Sequence, residues 1–481
     1  MTSSRTLPTI ERKGIESTAD DERSGIPRHH FWLWAAANLN PFVISSGLLV
    51  LTLGLSWKNA LIAIVVGTAI GYPLVGFVAL AGLRGGAPTM TLSRATFGYS
   101  GNKLPTLVAY LACIGWEAIA LFLAATATRT LASRVIPEAS DTTLLVLGLV
   151  LPGAATIVIA VYGYHLVIRA QKWITLAITI AIIGYCCLVI PKVGLPHHMP
   201  SDGGRPLLAG VTFVIAAGGL AWVMTGADYS RYLPARADPR GVVGWTTLGG
   251  AIAPIVLMFF GVFAGVARPD LASRAAVDPI GALVLPLPTW FFVPFLLTTI
   301  LGLIGSGVVN LYSSGLNLLT LGIKVSRPAA IAVDSTLIVL ASSYLIFLSP
   351  GFFASFESFL TVLGIPLAAW CAIFLVDFYR RHRTGYQLTA LYPATGNRAG
   401  NNPAALAAML LATVIGIVMD ASGHLASAIG AVPTEQAWFE AFASMKPGLP
   451  AAFIVGGLLY DLFLPRQTRR LLSPAGNALD R

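Results

Sequence analysis

Ala35-Ala36-Ala37-Asn38-Leu39-Asn40-Pro41, followed closely by Ser45, Ser46 and Gly47, interrupts an apolar run otherwise suited to a membrane helix. Proline removes an amide donor and glycine frees the backbone, so a helix readily unwinds here. A second interruption, Ala216-Ala217-Gly218-Gly219-Leu220-Ala221-Trp222, falls in the candidate helix five further along. Lipid cannot satisfy unwound backbone, which is tolerated at membrane depth only inside protein or beside a cavity. A proline kink or a glycine packing contact is the ordinary account of either break alone. Breaks at corresponding positions of two repeats instead point to a midplane binding site between inverted halves of a transporter.

The rest of the chain supports a membrane setting. Of 481 residues, 56% are hydrophobic and 11% are charged, against about a quarter charged in a typical soluble protein. Uncharged runs of roughly 20 residues, the length that spans a bilayer, recur throughout. They give twelve candidate helices, beginning near Phe31, Asn59, Leu104, Thr142, Trp173, Pro206, Gly241, Thr289, Pro328, Phe352, Pro403 and Pro447. The expected organisation is a polar cytoplasmic tail over 1–30, an all-α transmembrane domain over 31–465 and a cytoplasmic tail over 466–481. The first thirty residues lack the basic-then-apolar pattern of a cleavable signal. Cys113, Cys186, Cys187 and Cys371 all fall in apolar runs, where buried free thiols are expected rather than disulfides.

The net charge of +10 reports topology. With both termini inside, 23 of the 31 Lys and Arg residues fall on cytoplasmic segments and 8 outside, as the positive-inside rule requires. A plasma or inner cell membrane is the expected location, with the lipid bilayer as partner and no nucleic acid.

Several polar residues lie at membrane depth. Glu117, thirteen residues into the third span, must be protonated, partnered or facing water, and intramembrane acids are functional candidates by default. Tyr110 and Cys113 share its helical face. Ser306, Asn310, Ser313, Ser314 and Asn317 form a stripe on the eighth span, which must face other helices or a wet cavity. Trp116 and Trp222 lie well inside their spans, away from the interfacial belts. One adjoins the acid and the other the broken glycine pair, so together they are placed to sandwich a flat ligand. Asp228 and Arg231 read as a loop-anchoring ion pair, and Asp334, Glu357 and Asp420 as helix-end acids within reach of water. The His29–His30 and His197–His198 pairs lie in tail and loop, where no metal site is expected. No G-x-x-x-x-G-K-[ST] loop or H-E-x-x-H motif occurs, so an ATP-driven pump and a zinc protease lack their defining parts.

Leu53-Gly-Leu-Ser-Trp57, Phe97-Gly-Tyr-Ser-Gly-Asn-Lys-Leu-Pro105, Gly115-Trp116, Ala227-Asp-Tyr-Ser-Arg-Tyr232 and Asn310-Leu-Tyr-Ser-Ser-Gly315 together resemble the nucleobase–cation symporters. This family includes cytosine/purine permeases and hydantoin transporters, and the resemblance runs from about Glu16 to the last helix. It implies twelve transmembrane helices, the first ten forming inverted five-helix repeats (LeuT-like) with two extra helices. It also implies a substrate stacked between Trp116 and an aromatic residue of the sixth helix, here Trp222. Asn310 would bond the ring edge, and the unwound first helix would correspond to the segment around Asn38. Gly219, Glu117 and Ser306 complete the expected substrate-binding set.

Two departures bear on substrate and ion. An amide often found one turn after the third-helix tryptophan is Ala120 here. The eighth-helix Ser/Thr pair that helps hold sodium aligns with Ile304 and Gly305, although a one-residue shift brings in Ser306. The expected coupling cation is therefore H+ rather than Na+, with Glu117 as its carrier and no other cofactor. A vitamin, hydantoin or allantoin carrier on the same scaffold is the alternative. An integral-membrane enzyme would need a second catalytic group at membrane depth, and a channel would need rings of like residues or a repeated filter. Neither pattern is visible.

Overall fold

The computed structural model describes residues 14–162, 164–192, 207–323, 327–349, 351–392, 400–422 and 433–471. The described residues form helices joined by short turns, with no strand among them. Among the described residues nine helices are long and apolar enough to cross a membrane, and His29–Asn38 with Pro41–Thr52, bent by 61°, makes a tenth span. Two shorter apolar helices, Trp173–Val189 and Gly448–Phe463, stand where the fifth and twelfth were expected.

The spans are numbered in chain order, each broken helix counted once. The first is the bent pair. The second is Trp57–Gly85, the third Lys103–Val135, the fourth Asp141–Tyr162 and the fifth Tyr164–Val189. The sixth runs from Leu207 to Ser230 in pieces, and the seventh is Pro239–Ala267. The eighth is Thr289–Leu321, the ninth Arg327–Phe347 and the tenth Phe352–Asp377. Pro403–Asp420 and Gly448–Leu471 are the eleventh and twelfth.

Local chemistry sets the helix starts. The Ser56 hydroxyl accepts from the Asn59 amide, Asp238 from Arg240 and Gly241, and Asn402 from Ala405. Each satisfies a first-turn donor that has no partner within its helix. Pro41, Pro239 and Pro403 occupy first helical positions, where their fixed φ suits the helix and no amide is missed. At Asn40 the backbone is extended (φ −145°, ψ 155°), so the first span stops after Asn38 and restarts on Pro41. In the sixth span Leu207–Ala217 ends at Gly218, whose φ of −106° and ψ of −110° are non-helical. A short turn, Gly219–Trp222, then leads through a 3-10 turn into Gly226–Ser230.

The packing has the exchange symmetry of a repeat. The first span packs on the seventh and the sixth on the second; the third packs on the ninth and the eighth on the fourth. The eighth span also packs on the fifth, as the third does on the tenth. Moving every partner five helices along maps each contact onto its counterpart. The second and seventh spans, and the third and eighth, pair directly. The eleventh and twelfth spans pack against the tenth, outside this symmetry.

Close approach fixes two glycines. A Cβ on Gly47 would lie 2.1 Å from the Met258 carbonyl oxygen, locking the first span to the seventh. One on Gly219 would lie 2.1 Å from the Gly71 carbonyl carbon, locking the sixth to the second. These contacts are themselves counterparts under the repeat.

Some expectations need correction. Cys113 and Cys371 are buried free thiols, but Cys186 is half-buried and Cys187 is exposed, because the fifth span turns that face outward. The last helix runs from Gly448 to Leu471. The segment after residue 13 lies against the helix ends: Thr18 N–H donates to the Gly86 carbonyl and Ser24 N–H to that of Tyr232, each at 2.7 Å. Residues 1–13, His197–His198 and the tail after Leu471 lie outside the described residues.

Candidate functional site

The two breaks face a common cavity. The first span lines it with Asn38, Asn40 and Ser46, the third with Trp116 and Ala120, the sixth with Gly218 and Trp222, and the eighth with Ser306 and Asn310.

Two indoles project into this space. Trp116 packs edge-on against Phe356 and Phe359, with centroids 5.7 and 5.5 Å away. Trp222 packs edge-on against Trp34 at 5.7 Å. Edge-to-face packing holds a ring at a set angle, and no described ring stacks flat on either indole. Trp222 is steered further by its Nε1–H, which donates to Asn38 Oδ1 at 3.3 Å.

The three carboxamides differ in role. Asn38 Oδ1 also accepts from the Tyr72 hydroxyl at 2.7 Å, and its Nδ2 donates to the Trp34 carbonyl at 2.9 Å. Asn38 is thus occupied with building the wall. Asn310 lines the cavity without a side-chain hydrogen bond to another described residue. Asn40 Oδ1 is buried and likewise has no hydrogen-bond partner among them. A buried acceptor left unpaired costs about 1–3 kcal/mol, so it marks a point where a ligand donor would be stabilised. Asn40 belongs to the first break but was not among the site residues expected from the sequence. Its place directly before a helix-starting proline was the available signal.

The rest of the eighth-helix stripe serves its neighbours. Ser313 Oγ donates to Asp228 Oδ2 at 3.1 Å, and Ser314 Oγ to Asp334 Oδ2 at 2.8 Å. Asn317 Nδ2 reaches the Cys113 sulfur at 3.6 Å.

Four expected roles change. Gly219 does not line the cavity; it is buried against Gly71, and Gly218 lines the cavity instead. Glu117 does not line the indole cavity; it lines a second, adjoining cavity with Ser335 and Thr156. Asp228 does not bond to Arg231: its Oδ1 accepts from the Thr89 amide and hydroxyl at 2.9 and 2.8 Å. The fully buried Arg231 guanidinium reaches the Gly14 carbonyl and the hydroxyls of Tyr232 and Tyr312. Asp334 is away from water; it is 1% exposed and also accepts from the Tyr110 hydroxyl. Among the described residues no three His, Cys, Asp or Glu side chains gather as a metal site.

Helices broken in pairs around a shared cavity, within a repeat whose halves pack on each other, belong to a secondary transporter rather than an enzyme. The family described as permeases for cytosine/purines, uracil, thiamine and allantoin matches residues 18–437. This chain is a member of that family.

Among its relatives, the putative purine-cytosine permease YxlA of Bacillus subtilis is 26% identical over 398 residues, covering 80% of this chain and 83% of that one. Purine-cytosine permease FCY2 of Saccharomyces cerevisiae is 23% identical over 402 residues, 79% of this chain and 73% of its own. Mhp1, a nucleobase-cation-symport-1 family transporter solved in a closed conformation with bromovinylhydantoin bound, shares the fold. Its TM-score is 0.71 at 18% identity, covering 97% of this chain and 98% of that one.

Proposed function

We propose that this permease imports a flat, nucleobase-like heterocycle, cytosine or a purine, by symport with protons, both termini lying in the cytoplasm. The carrying observation is the pair of indoles in one cavity with the carboxamides of Asn40 and Asn310. Stacking on an aromatic side chain is worth about 1–3 kcal/mol per base. A carboxamide can pair its donor and acceptor with those of a ring edge. The relatives named as purine-cytosine permeases support the same substrate class.

Protons are favoured over sodium by a buried carboxyl group, Glu117, beside the substrate cavity. Ile304 and Gly305 also stand where the family's sodium-holding hydroxyls align. Uptake of radiolabelled cytosine by proteoliposomes, in competition with purines, pyrimidines, hydantoins and vitamins, tests the substrate class. Competition by nucleobases is the expected result. Competition by hydantoins or vitamins alone would replace the proposal with the alternative carrier.

A further inference from the structure

The third, fourth, eighth and ninth spans enclose a cavity separate from the indole-lined one. Its walls are aliphatic, from Leu121, Ile157, Leu311 and Ile338 among others, and its polar side chains are Glu117, Thr156 and Ser335. The Thr156 hydroxyl is spent on the Pro152 carbonyl at 2.9 Å. Both Glu117 carboxyl oxygens and Ser335 Oγ are buried without a hydrogen-bond partner among the described residues. Glu117 is 3% exposed and Ser335 8%. Unpaired buried polar atoms are rare and need a reason; here three of them belong to two residues that line one small cavity. A buried water makes about three hydrogen bonds, and the space suffices for one or two.

We propose that Glu117 and Ser335, with water in this cavity, form the binding site of the coupling proton, a wall away from the substrate. The inference rests on the proton-symport reading above and gives it a location. The wall is Ala120 and Leu303, which line both cavities. In the binding step a hydrated proton enters the cavity and its proton passes to a Glu117 oxygen, leaving water; release returns it to water. Ser335 is a positioning residue that holds the carboxyl group or its water.

The surrounding groups favour this assignment. From the ninth span the titratable group nearby is Asp334, whose oxygens already accept from Tyr110 and Ser314. That satisfies an ionised carboxylate at Asp334, whereas nothing satisfies one at Glu117. The third span itself contributes Tyr110 and Cys113. The fourth and eighth spans bring no charged side chain to the cavity among the described residues.

The test uses infrared difference spectra of the purified full-length protein at neutral pH, together with proteoliposome transport of radiolabelled cytosine. Glu117→Gln is expected to remove one protonated-carboxyl band. Ser335→Ala should shift that band and the pH profile of uptake, and Ser335→Thr should restore both. A gradient of one pH unit supports about tenfold accumulation, and Glu117→Gln should lose that factor relative to its own counterflow rate. An unchanged carboxyl band in Glu117→Gln, or undiminished accumulation, would overturn the site. Wild-type protein that moves no cytosine would instead defeat the substrate reading, while the infrared result still judges the proton site.

Discussion

Trp116 stands in the cavity with its ring angle set by Phe356 and Phe359 of the tenth span, so truncation should remove ligand stacking together with that edge-on contact. Trp116→Ala is expected to weaken binding by about 1–3 kcal/mol, roughly 5- to 150-fold in Kd, while the protein still reaches the membrane. Equilibrium binding of labelled cytosine measures it, and wild-type affinity would remove the stacking role. Asn310→Ala should weaken binding more than Asn317→Ala, since Asn310 lines the cavity and Asn317 bonds Cys113. Asn38 calls for a different readout. Its alanine variant strands the Tyr72 hydroxyl and the Trp222 N–H, at about 1–3 kcal/mol each. Asn38→Asp keeps the accepting oxygen, so it should retain more thermal stability and more of the native tryptophan fluorescence than Asn38→Ala. The indoles were legible in the sequence because buried tryptophan away from the interfaces is unusual. The division of labour between Asn38 and Asn40 was not. Two carboxamides two residues apart look alike until the bonds to Trp222 and Tyr72 are in view.

The broken helices carry the site, and their breaks were readable because Pro41 and the Gly218–Gly219 pair act locally. What surrounds a break is set by packing, which one sequence does not show. Gly219 illustrates this: its neighbour Gly218 reaches the cavity while Gly219 meets the second helix. Asp228 and Arg231 illustrate it too, since adjacency on one turn suggested an ion pair while Asp228 bonds Thr89 and Ser313 and Arg231 bonds Gly14, Tyr232 and Tyr312. Adding a methyl group at Gly219 or Gly47 places it 2.1 Å from backbone of a facing helix, and overpacking of this kind typically costs about 1–3 kcal/mol. A methyl group added at Gly315, on the eighth helix, would meet nothing within 4 Å. Thermal unfolding followed by size-exclusion chromatography should therefore rank Gly219→Ala and Gly47→Ala well below Gly315→Ala. Equal melting temperatures would mean that the helices separate without loss.

Across the whole molecule, the indole-lined cavity lies where the first and sixth spans meet the third and eighth, whereas the Glu117 cavity lies within the third, fourth, eighth and ninth spans. Separate cavities with a shared wall allow a proton and a heterocycle to be bound together without competing for the same groups. Membrane class and the repeat were legible from composition and the paired breaks; the second cavity was not, because it is made by four helices distant in sequence. Proton-driven carriage of a nucleobase-like ring is tested by accumulation of radiolabelled cytosine in proteoliposomes under an inward proton gradient, in sodium-free buffer. Accumulation above the equilibrium level, collapsing when a protonophore is added, is the expected result. A strict requirement for sodium, or accumulation indifferent to the proton gradient, would contradict it.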